Sequence, residues 1–314
     1  MFSLLGGVFL GWSLGANDAS NVFGTAVSSK MIKFWTAALL ASAFVIIGAI
    51  LSGQAGIETL KGLTSISLKQ AVVSSVAAAI TVTIMTFLGF PVSTSQSVVG
   101  SILGIGILNN QLNLAGLGKV VACWVGTPIG AAIVSVLLYY GFGRLYNRSE
   151  LTLFQSDALI RILMIIAGSY GAYALGANNV ANVTAVFVGA GLVSVFYAAL
   201  IGGLSIALGI LTYSKPVMET VGKKLVKLDP FSALIVVLSL ALTVHFYTLV
   251  GVPVSTSQAV VGGVLGIGLV KGVNTVSRQT LRNILLAWLL TPVVACFFSI
   301  TINFVIHLHY IPVY

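Results

Sequence analysis

Charge is what this chain has least of. Asp, Glu, Lys and Arg together make up 7% of its 314 residues, and only six residues are acidic. Soluble domains carry charge on about a quarter of their residues, so a soluble cytoplasmic enzyme is excluded. Cysteine is nearly missing too: Cys123 and Cys296 sit in apolar surroundings with no CxxC or Cys/His spacing, and are expected as small packed side chains rather than a disulfide or metal site. There is no GxxxxGK[ST] loop, so an ATP-driven pump would need a separate subunit, and no HExxH. The net charge of +9 comes from Lys and Arg scattered singly among hydrophobic runs, with no basic helix face for nucleic acid. The opening MFSLLGGVFLGWSLG has no basic region before its apolar run and leads straight into a polar motif, as a mature helix rather than a cleaved signal would.

What is present is hydrophobic: 58% of residues, with a mean hydropathy of +1.09. At about 20 residues per spanning helix there is room for roughly ten crossings. The 34 glycines and the absence of short alternating strands point to packed helices and not a barrel. The expected fold class is therefore all-α, a polytopic membrane helical bundle.

The chain repeats itself. GANDASNV at 15–22 returns as GANNVANV at 176–183 with five of eight positions identical, and GFPVSTSQSVVG at 89–100 returns as GVPVSTSQAVVG at 251–262 with ten of twelve. LGIG follows both longer blocks, and Trp124 to Pro128 is echoed by Trp288 to Pro292. Two units follow, 1–150 and 159–314, with the polar stretch 144–157 at their junction and 151–158 as a cytoplasmic linker. Each unit reads as a helix broken at its GAN motif (2–28; 160–188), a second (34–53; 193–213), a third (68–88; 231–249), a motif helix (93–108; 255–270) and a long fifth (116–141; 283–307). Five crossings per unit would invert the second copy and put twelve cations on one side: Lys30, Lys33, Arg144, Arg148, Arg161, Lys215, Lys223, Lys224, Lys227, Lys271, Arg278 and Arg282. Lys61, Lys69 and Lys119 would stand opposite; four crossings would instead split the charges six to nine. The positive-inside rule favours twelve to three, hence an inverted-topology repeat with half-helices at the midplane, a plan of secondary transporters, with both termini outside the cytoplasmic membrane.

Asp18 is the only carboxylate in the apolar segments; Glu58, Glu150, Asp157, Glu219 and Asp229 are expected in loops. A charge at membrane depth costs about 2.5–3.5 kcal/mol on insertion scales, so Asp18 needs a partner or a watery cavity. Gly15 and the run Asn17, Asp18, Ser20, Asn21 are read as an interruption of the first helix that coordinates a cation, echoed by Asn178, Asn179 and Asn182. Pro-Val-Ser-Thr-Ser-Gln ahead of a glycine-rich apolar run is how a helix N-terminus looks in sequence. Its free N–H groups, with the hydroxyls of Ser93, Thr94 and Ser95 and of Ser255, Thr256 and Ser257, would hold a compact oxyanion between two converging half-helices. Neither motif has a Lys or Arg, so co-bound cations would balance the anion, and the hard oxygens on offer suit Na⁺. His245, where the first unit has Thr83, is expected as a packed helix histidine, with a proton relay as the lesser reading. Gly7, Gly11 and Gly15, Gly168, Ala172 and Gly176, and the pairs Gly100/Gly104 and Gly262/Gly266 are expected to let helices pack closely.

With GANDASNVFGTAV, GANNVAN and both PVSTSQ blocks in this order, the chain resembles the inorganic phosphate transporter (PiT) family over nearly its whole length. The resemblance implies cation-coupled phosphate uptake at a shared site. Its phosphate would meet Asp18, Asn21, Ser93, Thr94, Ser95, Asn179, Asn182, Ser255, Thr256 and Ser257, and its Na⁺ would meet Asn17, Asp18, Asn178, Asn179, Gln96, Gln258, Ser93 and Ser255. Many family members carry a second aspartate where this chain has Asn179, and several a glutamate where it has Val45. The expected partners are inorganic phosphate, Na⁺ and the lipid bilayer, with no cofactor and no nucleic acid, and with a homo-oligomer left open. Proton-coupled phosphate or sulfate symport is the alternative, and a passive anion channel a more distant one.

Overall fold

The computed structural model describes residues 2–87, 92–224, 228–272 and 278–309; Pro91 and Lys227 fall outside them. Eleven α-helices and no strand occur among the described residues: α1 Leu5–Ser28, α2 Phe34–Ser52, α3 Gln54–Lys61, α4 Leu68–Phe87, α5 Thr94–Asn109, α6 Leu114–Arg148, α7 Leu153–Gly189, α8 Val195–Lys224, α9 Pro230–Leu249, α10 Thr256–Lys271 and α11 Arg278–His309. Seven of these (α2, α4, α6, α7, α8, α9 and α11) contain a stretch long and apolar enough to cross a membrane, so the chain is an integral membrane protein. Large apolar side chains stay exposed around the outside, Leu137 at 65% and Leu289 at 70%, which suits lipid and not water.

Local chemistry sets the ends. Thr152 and Gln155 make a reciprocal capping box at the start of α7, and Asn113 accepts from the Gly116 amide at the start of α6. Inside the apolar helices hydroxyls bond back to the preceding turn, as Thr127 does to the Cys123 carbonyl at 2.6 Å and Thr291 to Ala287 at 2.6 Å. Each of these threonines stands directly before a proline, Pro128 or Pro292, within a continuous helix.

Several expectations are corrected here. The GAN segments do not interrupt their helices: α1 and α7 run unbroken through Asn17–Asn21 and Asn178–Asn182. The half-helices are instead α5 and α10, 16 residues each, or about 24 Å, against about 30 Å of hydrocarbon. Gly15 is there for close approach, since a Cβ on it would stand 1.9 Å from the Ile206 carbonyl oxygen. The junction is mostly helical, with only 149–152 between α6 and α7. Helix α8 continues through Pro216 and carries Glu219, expected in a loop, as an exposed residue of its last turns, while α3 occupies a stretch read as connection.

The units interlock. Gly15 of α1 meets the Ile206 carbonyl of α8, and Gly176 of α7 meets the Val45 carbonyl of α2, with a Cβ landing 1.9 and 2.0 Å away. Likewise Gly100 of α5 lies against the Pro292 carbonyl of α11 and Gly262 of α10 against that of Pro128 in α6, at 2.3 and 2.1 Å from a Cβ position. Each unit thus lends its first and motif helices to the second and fifth helices of the other. The corresponding helices α1 and α7 run in opposite directions: Gly7 packs on Val183 and Phe187, while Phe23 packs on Gly168.

Candidate functional site

The polar residues that the repeat singled out come together at the centre of this interlock, where α1 and α7 cross and α5 and α10 begin. Ser93 and Ser255 keep extended backbone (φ −105°, ψ 110°; φ −87°, ψ 118°) and cap their helices by accepting from the amides of Gln96 and Gln258, each at 3.3 Å. The amides of the first turns are thereby turned toward the centre, where their partial positive charge gathers.

Asp18 lies beside the start of α10, buried at 6% exposure. Its Oδ2 accepts from the Thr256 hydroxyl and from Asn179 Nδ2, both at 3.1 Å. Asn179 is the residue that corresponds to Asp18 in the second unit, so the two equivalent positions hydrogen-bond to each other across the interface. Asn179 Oδ1 accepts from Asn178 at 3.1 Å and from Asn182 at 3.0 Å, and Asn182 also donates to the Ser95 hydroxyl at 2.9 Å. Asn21 donates to Thr256 at 3.2 Å. All the donors to Asp18 among the described residues are neutral, and no described Lys or Arg pairs with it. Among the described residues no three His, Cys, Asp or Glu side chains gather as a metal site would need.

Four buried oxygens of the motif residues have no hydrogen-bond partner among the described residues: Thr94 Oγ1, Gln96 Oε1, Asn182 Oδ1 and Gln258 Oε1. Burying an acceptor without a partner costs about 1–3 kcal/mol. Three of the four are amide carbonyls, hard acceptors of the kind that coordinate alkali cations. The donor set fits Na⁺ and does not fit a thiolate- or imidazole-binding metal.

Backbone closes the cluster. The Ser95 hydroxyl donates to the Val254 carbonyl at 2.9 Å, and the corresponding Ser257 hydroxyl donates to the Val92 carbonyl at 3.4 Å. Ser257 also shares a 2.8 Å hydrogen bond with Ser255. Asn178 clamps Val254 from both ends, accepting from its amide at 2.8 Å and donating to its carbonyl at 2.7 Å. These valines escaped the sequence reading because a backbone role leaves no side-chain signature; their one trace is the valine that precedes Ser93 and Ser255 alike.

Asn17 stands apart from the group it was expected to join. Its carbonyl accepts from Ser20 at 2.6 Å, while its side chain lines a cavity of about 240 Å³ with Phe9, Trp12, Ser13, Ala16, Thr83, Tyr213 and Val217. His245, read as a packed helix histidine, shares a 2.7 Å hydrogen bond with the Tyr170 hydroxyl. Cys123 and Cys296 are free and partly buried.

Comparison with known proteins gives this geometry a family. A model of the phosphate transporter family matches residues 14–299, which span every helix of the site. "Putative phosphate permease MJ0630" of Methanocaldococcus jannaschii is 31% identical over 94% of both chains. "Sulfate permease CysP" of Bacillus subtilis is 29% identical over 97% of this chain and 86% of its own. A solved structure, "The sodium-dependent phosphate transporter", superposes with a TM-score of 0.87 at 25% identity, covering 98% of each chain. With its duplicated motifs lying inside the matched span, the chain belongs to the phosphate transporter family, a family of permeases and not enzymes.

Proposed function

We propose that this chain is a secondary active transporter that couples inward movement of inorganic phosphate to Na⁺ across the cytoplasmic membrane. Its units 1–150 and 159–314 act as inverted repeats around the shared site, with their junction in the cytoplasm and both termini outside. The opposite run of α1 and α7 supports the inversion, and the twelve-to-three division of cations supports the orientation. Asp18 carries the reading: one buried carboxylate beside the start of α10, met among the described residues only by neutral donors, with several motif carbonyls left unpartnered.

Electrostatics then sets the order of events. An anion cannot approach the Asp18 carboxylate until that charge is offset, so Na⁺ binds first, held by Asp18 and by side-chain oxygens among Asn178, Asn179, Gln96, Gln258, Ser93 and Ser255. Phosphate follows, drawn by the amides of the first turns of α5 and α10 and by the hydroxyls of Ser93, Thr94, Ser95, Ser255, Thr256 and Ser257, with Asn21, Asn179 and Asn182 completing its shell. Occupancy by enough Na⁺ to offset both Asp18 and the phosphate lets the units rock, exposing the site to one side and then the other.

Sulfate is the competing cargo, and the sulfate permease among the relatives gives it weight. Phosphate near neutral pH keeps a proton that it can donate to the Asp18 carboxylate, and sulfate has none to give. Proteoliposomes containing the purified protein, loaded with an inward Na⁺ gradient, a proton gradient or neither, will accumulate radiolabelled phosphate only with Na⁺, and excess sulfate will not reduce that accumulation. Accumulation driven by protons would overturn the coupling ion, and block by sulfate would overturn the cargo.

A further inference from the structure

The repeat gives every residue around Asn17 a counterpart around Asn178, and the two surroundings differ. The frame is common to both: a Cβ on Gly209 would stand 1.9 Å from the Trp12 carbonyl oxygen, and one on Gly48 would stand 2.0 Å from the Tyr173 carbonyl oxygen. In that frame Phe9 corresponds to Tyr170, Trp12 to Tyr173, Thr83 to His245 and Tyr213 to Ser52.

On the Asn178 side these positions are stitched together. Tyr170 and His245 share a hydrogen bond at 2.7 Å, Tyr173 and Ser52 share one at 2.5 Å, and the His245 ring lies 5.4 Å from that of Tyr173. Behind them Asn178 is 1% exposed and held at both ends by Val254. On the Asn17 side the same positions enclose the 240 Å³ cavity, and Trp12 turns its indole N–H aside to Thr212 at 2.8 Å. No hydrogen bond joins the Asn17 side chain to any described residue.

The connections differ in the same sense. The chain bends at Gly53, where a Cβ would come within 2.3 Å of Val180 Cγ1, and the bend folds α3 onto Ala181 of α7 and, through the Ala55 carbonyl, to within 3.3 Å of a Cβ position on Gly251. In the second unit α8 continues through Pro216 instead, and Val217 becomes part of the cavity wall.

We propose that Ser52, Tyr170, Tyr173 and His245 are the closed gate of the permeation path, and that the cavity between Phe9, Trp12, Ser13, Thr83 and Tyr213 is the corresponding gate in its open form. The proposal rests on the transporter reading above; with the start of α1 outside, Phe9, Trp12 and Ser13 lie on the outer side of Asn17, so the open side faces outward. Transport would require the two arrangements to exchange, with the Tyr170–His245 hydrogen bond broken on one side while the aromatic pair Trp12 and Tyr213 closes over Asn17 on the other.

Cysteine accessibility tests the gate without any substrate, so it stands or falls separately from the cargo and coupling ion. In a full-length background with Cys123→Ala and Cys296→Ser, single cysteines are introduced as Ser13→Cys or at its counterpart as Ala174→Cys. Membrane vesicles of each orientation are then exposed to an impermeant thiol reagent. Ser13→Cys will label from one side, at least about tenfold faster than Ala174→Cys, as expected when the opposite state is a minor one. Adding Tyr170→Phe or, separately, His245→Thr, which installs the first unit's own residue, will speed labelling of Ala174→Cys from the other side by about two- to tenfold, the worth of one hydrogen bond. Because the two latch variants are independent, misfolding of one leaves the other decisive. Equal rates for the two cysteines, labelling of both from the same side, or an Ala174→Cys rate that neither latch variant changes would each overturn the proposal.

Discussion

The two units carry nearly the same motifs, yet their central residues are not the same. Position for position, the first unit offers Asp18 where the second has Asn179, and the two meet through one hydrogen bond of 3.1 Å. A duplicated fold supplies two of every helix N-terminus and two of every capping serine, but it places the paired GAN positions face to face. Two carboxylates there would repel each other and need a further cation or proton to coexist. One aspartate against one asparagine satisfies the contact with a donor and an acceptor and leaves a single negative charge for the site. A second corner makes the same point nearer the surface. At the head of α9, Asp229 caps Ser232 and pairs with Lys271 at the end of α10, whereas at the head of α4 the corresponding Ser67 caps Gln70, which bonds to Asn109. One corner is charged and the other neutral on the same backbone frame.

Breaking the central asymmetry should have the largest effect. Asp18→Asn leaves two amides facing each other and no negative charge, and Na⁺-driven phosphate accumulation in vesicles should fall about a hundredfold, as about 3 kcal/mol of cation binding is lost. Asn179→Asp alone should steepen the dependence of uptake on Na⁺ concentration, because a second cation must offset the second carboxylate. The double exchange of Asp18→Asn with Asn179→Asp should restore part of the uptake. Undiminished accumulation in Asp18→Asn would remove this residue from the coupling site.

The packing contacts should be damaged equally in both units. Gly15→Ala and Gly176→Ala each push a methyl group into a carbonyl of the other unit, at 1.9 and 2.0 Å, and each should cost about 3 kcal/mol or more, seen as loss of the monodisperse peak in detergent size-exclusion chromatography. Gly118→Ala in α6, where a Cβ meets nothing within 4 Å, should leave the peak intact. A large difference between Gly15→Ala and Gly176→Ala would show that the interlock is less symmetric than these distances imply.

The smallest effect belongs to the charged corner. Burial raises the Asp229 carboxyl, but hydrogen bonds from Lys271 and Ser232 and the Lys271 charge outweigh it and hold the group below the ordinary carboxylate value. A depressed value in the folded protein means that the stabilisation is complete above the unfolded value and disappears as pH falls through the folded one. Asp229→Asn should therefore lower the melting temperature slightly at neutral pH, by the equivalent of about 1 kcal/mol or less for a half-exposed pair, and the gap should close below about pH 4. Ser67→Ala at the neutral corner should give a deficit that does not change over the same range.

Much of this was legible in the chain because membrane proteins write their constraints plainly. A lone carboxylate in apolar sequence, duplicated Ser/Thr blocks behind a proline and glycines at four-residue spacing each have few physical explanations, and Asp18, Ser93, Ser255, Gly15 and Gly176 lie where those explanations put them. The interruption expected at the GAN motifs was the principal miss. Gly, Asn and Asp are helix breakers in water because they compete for backbone groups locally. Here Asn178 spends its side chain on Val254 of its own unit, Asn182 spends its on Ser95 across the interface, and Asn179 spends its own on Asp18, so α7 keeps its backbone ladder. Helix α3 and the extension of α8 past Pro216 were also out of reach, since both depend on what the chain packs against and not on local preference.

Composition and repetition alone determined that this is a helical membrane protein with four short polar motifs duplicated in pairs, because hydrocarbon tolerates little else and a duplicated polar motif must be held in place at a cost. Only the tertiary structure decided that Asp18 and Asn179 face each other, that the valine backbones at 92 and 254 close the site, and that one side of the molecule is latched by Tyr170 and His245 while the other lies open. Those are relations between helices far apart in sequence, set by the close approach that glycines permit, and no local pattern encodes which of two equivalent arrangements each unit adopts.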